Sequence, residues 1–150
     1  MDALFNLLNR AVSLQNDFAV HAIDTEQNRE LMVKLNTESQ LYDKGVDSEG
    51  VPLDEIGGSY SPVTKKIKAS EGQRYDHVTL KDTGDFYSSE KAEFLYDGSV
   101  LFTADTIKDG RDLQDRYGRN ILGLTDESKD ILKPIFANDV ITHLKDYLVK

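Results

Sequence analysis

Two β-prone runs near the middle of the chain, Glu93-Phe94-Leu95-Tyr96 and Ser99-Val100-Leu101-Phe102-Thr103, stand on either side of Asp97-Gly98. Asp-Gly is a strong tight-hairpin signal, because the left-handed backbone it tolerates matches the right-handed twist of two paired strands. The chain is therefore expected to fold around an antiparallel pair. Helical spacing dominates on both sides of it. Leu4, Leu7, Leu8, Ala11, Val12 and Leu14 recur every three or four residues, which predicts an opening helix, and Phe18–Ile23 is expected to extend it because no turn residue intervenes. Ile131, Leu132, Ile135, Phe136, Val140, Leu144, Tyr147 and Leu148 predict an apolar face on a last helix over Asp126–Leu148. These patterns predict an α+β fold in one domain spanning 1–150, with a small antiparallel sheet of three to four strands packed against N-terminal helices and a long C-terminal helix.

Between these elements the junctions are readable. Asp24 or Thr25 caps a second helix whose apolar residues are Leu31, Met32, Leu35, Leu41 and Tyr42, and Lys44-Gly45 ends it. Gly45 to Gly58 is rich in Gly, Asp, Glu, Ser and Pro and reads as an exposed loop. Ser61-Pro62 opens a short helix, with Ser61 as cap and Pro62 at the first helical position. That helix carries Lys65, Lys66 and Lys68, the densest basic cluster of the chain, which reads as a solvated face or as a docking patch for an acidic neighbour. His77-Val78-Thr79-Leu80 is β-prone, and Asp82 or Thr83 is placed to cap a helical turn beginning near Gly84. Lys108 to Tyr117 reads as a polar helix or loop anchored by Leu113 and Tyr117. Thr125 and Asp126 cap the last helix, which Pro134 is expected to kink or split.

Several chemistries are excluded or disfavoured by residue content. Cysteine is absent, which removes disulfides, thiolate metal sites and cysteine nucleophiles together. His21, His77 and His143 are far apart and form no metal-ligand spacing. Asp47, Glu49 and Asp54 lack the spacing of a calcium loop. Asp82-Thr83-Gly84 matches the aspartic-protease tripeptide, but that chemistry needs two carboxylates sharing a proton, and a single copy would demand a symmetric dimer. No catalytic, cofactor or metal residue is therefore assigned, and the chain is expected not to be an enzyme. A formal net charge of −9 argues against sequence-specific nucleic-acid binding, which depends on Lys and Arg at phosphates. Without an apolar run of membrane length or a basic leader, neither a membrane nor export is expected.

Two stretches carry a resemblance. Leu80, Asp82, Thr83, Gly84 and Phe86 form one motif, Tyr117 and Gly118 a turn, and Arg119, Leu122, Gly123, Leu124, Thr125 and Glu127 a second motif opening the last helix. In this order they resemble the tail-completion and head-to-tail joining proteins of tailed bacteriophages, including the virion-morphogenesis proteins of Mu-like phages. The resemblance covers roughly residues 41–135; where that family usually continues with Arg and Ser, this chain has Asp85-Phe86-Tyr87-Ser88-Ser89. It implies a structural virion protein of the neck or tail that joins or completes head and tail as a homo-oligomeric ring. The implied partners are further copies and portal, connector or tail-tube proteins, and the implied location is the virion, after assembly in the host cytoplasm. Asp47, Lys65, Lys66, Lys68, Asp82, Thr83, Gly84 and Phe86 are the expected contact residues. Arg119, Leu122, Gly123, Leu124 and Thr125 are expected to hold the sheet to the last helix. The alternatives are an acidic phage protein binding a host partner, or a hydrolase using carboxylates such as Asp82, Asp85, Asp105 and Asp109.

Overall fold

The structure, a computed structural model, describes residues 17–149, so the Leu4–Leu14 stripe lies outside the described residues. Helix α1 covers residues 17–23. Thr25 then takes extended backbone, and its hydroxyl accepts the Asn28 N–H at 3.2 Å, which opens α2, Glu26–Lys34. The chain passes directly from α2 into wider π-helical turns over Leu35–Lys44, where a plain α-helix was expected. Leu35, Asn36, Thr37, Gln40 and Leu41 are all buried along this stretch, so it presents polar as well as apolar side chains to the interior. Gly45 ends it in the left-handed region with φ 64°.

The α+β class read from the pattern is the class observed, with the strands arranged as two separate hairpins. Strands β1, Lys91–Phe94, and β2, Val100–Thr103, pair antiparallel from Lys91 opposite Thr103 to Phe94 opposite Val100. Strands β3, Ile107–Lys108, and β4, Arg111–Asp112, form the second pair inside the stretch expected to be a polar helix or loop. Its turn is Asp109-Gly110, with φ 49° and 72°, the double left-handed geometry of a two-residue hairpin. Short helix α6, Leu113–Tyr117, follows, capped by the Asp112 side chain.

Two expectations are corrected by where backbone groups find partners. His77–Leu80 forms no strand, because side chains occupy its donors: the Val78 N–H bonds to Asp54 and the Thr79 N–H to the Tyr60 hydroxyl, at 2.9 and 3.1 Å. Gly45 to Gly58 is not an exposed loop. Val46 bridges Pro52, and Leu53–Gly57 forms helix α3 with Leu53 fully buried. Asp47 is buried beneath the turn, its carboxylate accepting the Glu49 and Val51 N–H groups, each at 2.9 Å.

Helix α4, Pro62–Ser70, begins as read, with the Ser61 hydroxyl accepting the Thr64 N–H. Helix α5, Asp85–Ser89, is preceded by Gly84 in left-handed backbone, so the cap position belongs to Gly84 and not to Asp82 or Thr83. The last helix, α7, runs over Asp126–Leu148 with Pro134 inside it, so of the two expected outcomes, a kink or a split, the split does not occur. Of its expected apolar face, Leu132 is buried, whereas Ile131, Leu144, Tyr147 and Leu148 are exposed. The core has two parts. Leu41, Leu53, Val78, Phe86, Tyr117 and Ile121 form one; Met32, Leu35, Ala92, Leu124 and Leu132 form the other. Each large side chain buried there contributes about 1.5–3 kcal/mol of transfer free energy.

Candidate contact surface and the network behind it

A cleft of about 730 Å³ opens between α4 on one side and the β3–β4 hairpin with α6 on the other. Val78, Leu80, Leu113 and Tyr117 give it apolar wall, and Lys81, Lys108, Arg111 and Arg116 give it charge, balanced by Glu71, Asp82, Asp109 and Asp112. Asp82 pairs with Lys108, whose ammonium holds the Asp82 carboxyl below the usual carboxylate range despite partial burial. Leu80, at the first residue of the Leu-x-Asp-Thr-Gly corner, has φ 57°. A branched apolar residue is rarely held there, so the surroundings impose this bend.

Lys68 explains part of that constraint. It is buried, and its ammonium donates to Gln73 Oε1 at 2.9 Å and to the Lys81 carbonyl at 2.8 Å while lying 4.9 Å from the Tyr60 ring centroid. It thus ties the end of α4 to the corner. Lys81 sits over the Tyr42 and Tyr87 rings at 5.1 and 5.7 Å, and the Tyr87 hydroxyl donates to the Thr79 carbonyl. Burial pushes the Tyr87 phenol well above its ordinary pKa, so it remains a donor.

Among the residues expected to meet partners, Lys68 and Asp82 line this cleft, and Asp82, Thr83, Gly84 and Phe86 border the adjoining hollow against Asp105 and Lys108. Lys65 and Lys66 are exposed on α4, and Asp82 and Thr83 are exposed at the corner. Phe86, Lys68 and Asp47 are buried and serve the interior, so direct partner contact through them is corrected to an internal role. Asp47 belongs to a different region, beside Asn120: the neighbouring Ser48 N–H donates to the Asn120 carbonyl at 2.8 Å. Pattern reading missed Ile67 and Ile107, exposed apolar residues on α4 and β3. The legible signal for Ile107 was the Asp109-Gly110 turn that makes it a strand residue.

The second motif is held by the π-helical stretch. Asn36 donates to the Ile121 carbonyl at 3.0 Å, Gln40 donates to the Gly123 carbonyl at 2.9 Å, and Gln40 Oε1 accepts the Thr125 N–H at 2.8 Å. Thr125 then caps α7 through the Ser128 N–H. Ile121 and Leu124 are buried, while Arg119 is exposed and, with Leu122, Gly123 and Leu124, lines a groove against β2 and α7 of about 830 Å³.

Behind this network lies Glu90, buried next to Asn36. Its Oε1 accepts from Asn36 Nδ2 at 2.9 Å, and Oε2 has no hydrogen-bond partner among the described residues. Burial pushes its carboxyl from 4.5 up to about 7, against the lowering effect of Asn36. The folded state therefore holds a proton that the unfolded chain releases between these values, so stability is greatest at the acidic end and falls as pH rises through this window. From pH 5 to pH 8 this single group should cost about 2–3 kcal/mol. Denaturant unfolding at both pH values should show that slope, and Glu90→Gln should remove it; parallel pH profiles for the two proteins would refute the assignment.

Among the described residues no group of three or more His, Asp or Glu side chains is arranged to hold a metal ion, and no helix is long and apolar enough to cross a membrane. Comparison of the chain with protein-family models, with curated proteins and with solved structures gives no match.

Proposed function

We propose that this chain is a structural subunit of the neck or tail of a phage virion, acting by assembly into a homo-oligomeric ring and not by chemistry. Beyond the motif resemblance, one observation supports this reading: large apolar side chains stand exposed around a charged cleft. Val63 is 67% and Ile67 51% exposed on α4, beside Lys65 and Lys66, and Ile107 is 59% exposed on β3. An apolar patch rimmed by charge is the composition of a protein-contact surface. The Asp82–Lys108 pair and the Lys68 tether keep both walls in place before a partner arrives, which lowers the cost of ordering on binding.

The test is mass in solution across a concentration series, by light scattering, with negative-stain imaging alone and beside phage portal, connector or tail-tube proteins. Rings are expected. A double substitution, Val63→Asp with Ile67→Asp, should abolish them while leaving the melting temperature nearly unchanged, since both side chains face solvent. A protein that stays small beside every neck component, or rings indifferent to that substitution, would defeat the reading or this surface respectively.

A further inference from the structure

Strand β2 has two edges and one strand partner. Leu95 donates its N–H to the Ser99 carbonyl at 2.8 Å as the hairpin closes, and the register then sets Glu93 opposite Leu101 and Lys91 opposite Thr103. Hydrogen-bonded pairs alternate along an antiparallel ladder, so Leu101 and Thr103 turn their backbone groups towards β1, while Val100 and Phe102 turn theirs away from it. Among the described residues nothing takes up the N–H or C=O of Val100 or Phe102. A row of unpaired strand groups is a template for another strand.

This edge borders a groove. Val100, Leu101 and Phe102 line the space of about 830 Å³ that also holds Met32, Leu132 and Phe136, so its lining is largely apolar. Its charge runs against that of the whole chain: the net charge is −9, yet the ionisable residues lining the groove are Arg119, Lys129 and Lys133 against Glu49 alone. Lys129 and Lys133 reach Asp126 and Asp130 on their own helix at 3.3 and 2.6 Å, in exposed pairs of the kind that contribute little. Arg119 is exposed and forms no ion pair among the described residues. Two copies pairing β2 to β2 would bring both sets of cations together, whereas an acidic partner turns the same charges into attraction.

We propose that this groove is a strand-addition site for an extended segment of another polypeptide that alternates apolar and acidic residues. Its backbone pairs with Val100 and Phe102. The period of two along a strand sends its apolar side chains towards Met32, Leu132 and Phe136, and its carboxylates are held at the rim by Arg119, Lys129 and Lys133. The site shares no lining residue with the α4 cleft and depends neither on ring formation nor on a virion role.

The probe is a short fluorescein-labelled peptide of alternating Glu and Val, followed by anisotropy. Saturable binding is expected with a Kd below about 1 mM. The same peptide with Lys in place of Glu, and a version N-methylated at alternate backbone nitrogens, should each bind at least about 10-fold more weakly. Arg119→Glu with Lys133→Glu should reverse the preference between the acidic and basic peptides and leave the melting curve nearly unchanged, since both side chains are exposed. In hydrogen exchange followed by NMR, the Val100 and Phe102 amides should slow by about 10-fold or more with saturating peptide. Absence of saturable binding, equal affinity for the acidic and basic peptides, indifference to N-methylation, or unchanged exchange at those amides overturns the proposal. Protection of those amides that grows with the concentration of the protein alone overturns it too, in favour of a second copy on this edge.

Discussion

Replacing Gly45 by alanine should lower the unfolding free energy by about 2–5 kcal/mol, from two additive causes. Gly45 holds φ 64°, which costs an L-residue about 1–2 kcal/mol. A Cβ there would also stand 2.4 Å from His77 Cδ2 and 3.1 Å from the Val78 carbonyl oxygen. The ring has no easy escape, because His77 Nε2 is bonded to the Tyr42 carbonyl at 2.7 Å and its other nitrogen faces Asp76. Overlap of this kind typically adds 1–3 kcal/mol, or about that range again. For a chain of 150 residues, each kcal/mol shifts the midpoint by about 2–4 °C, so a drop of roughly 10 °C is expected in a thermal melt. A drop within 2 °C or so, about what 1 kcal/mol produces, would mean that the end of the π-helical stretch is not docked on His77 as described.

Gln40→Leu should cost nearly as much, about 3 kcal/mol, although it replaces a polar side chain by an apolar one of similar size at a position only 1% exposed. Gln40 joins the Asn36 side chain, the Gly123 carbonyl and the Thr125 N–H in one site. Leucine would leave those groups behind without partners, and each buried orphan costs about 1–3 kcal/mol. Gln40→Glu separates the mechanisms: it retains the acceptor for Thr125 but loses both donated bonds, so it should be destabilised also and more strongly above pH 7 than below pH 5. Chemical denaturation of the three proteins measures this directly. Equal stability of the leucine variant and the parent would show that the second motif is held by apolar packing alone.

These two positions show why the motifs carry so much of the fold. Gly45 and Gln40 lie in one helical stretch, yet their partners come from His77 and from Gly123–Thr125. The π-helical turns thus serve as the central post on which the segment at His77–Val78 and the 119–125 motif are both hung. Exposed apolar side chains fall outside that post, among them Val63 and Ile67 on α4 and Ile107 on β3.

Local chemistry was enough to read much of this protein from its residues. Caps at Thr25, Ser61 and Thr125, the left-handed stop at Gly45 and the antiparallel pairing of the two runs flanking Asp97-Gly98 each depend on groups within a few residues of one another, so the pattern carries the answer, although the turn itself spans Leu95–Ser99 and not the two residues expected. Met32 and Leu132 were legible as core for the same reason, since apolar spacing reports one face of a helix. What tertiary structure alone decided was the fate of groups whose partners are distant. His77–Leu80 has β-prone residues but loses its strand because Asp54 and Tyr60 take its N–H groups, and Asp47 looks like a loop carboxylate but is buried by its own turn. Likewise, apolar spacing on α7 predicts a face without saying that only Leu132 would find full cover, because burial depends on what else the chain brings to that side. Composition sets which groups must be satisfied; only the three-dimensional arrangement determines which neighbour satisfies each, and which apolar side chains are left for another molecule.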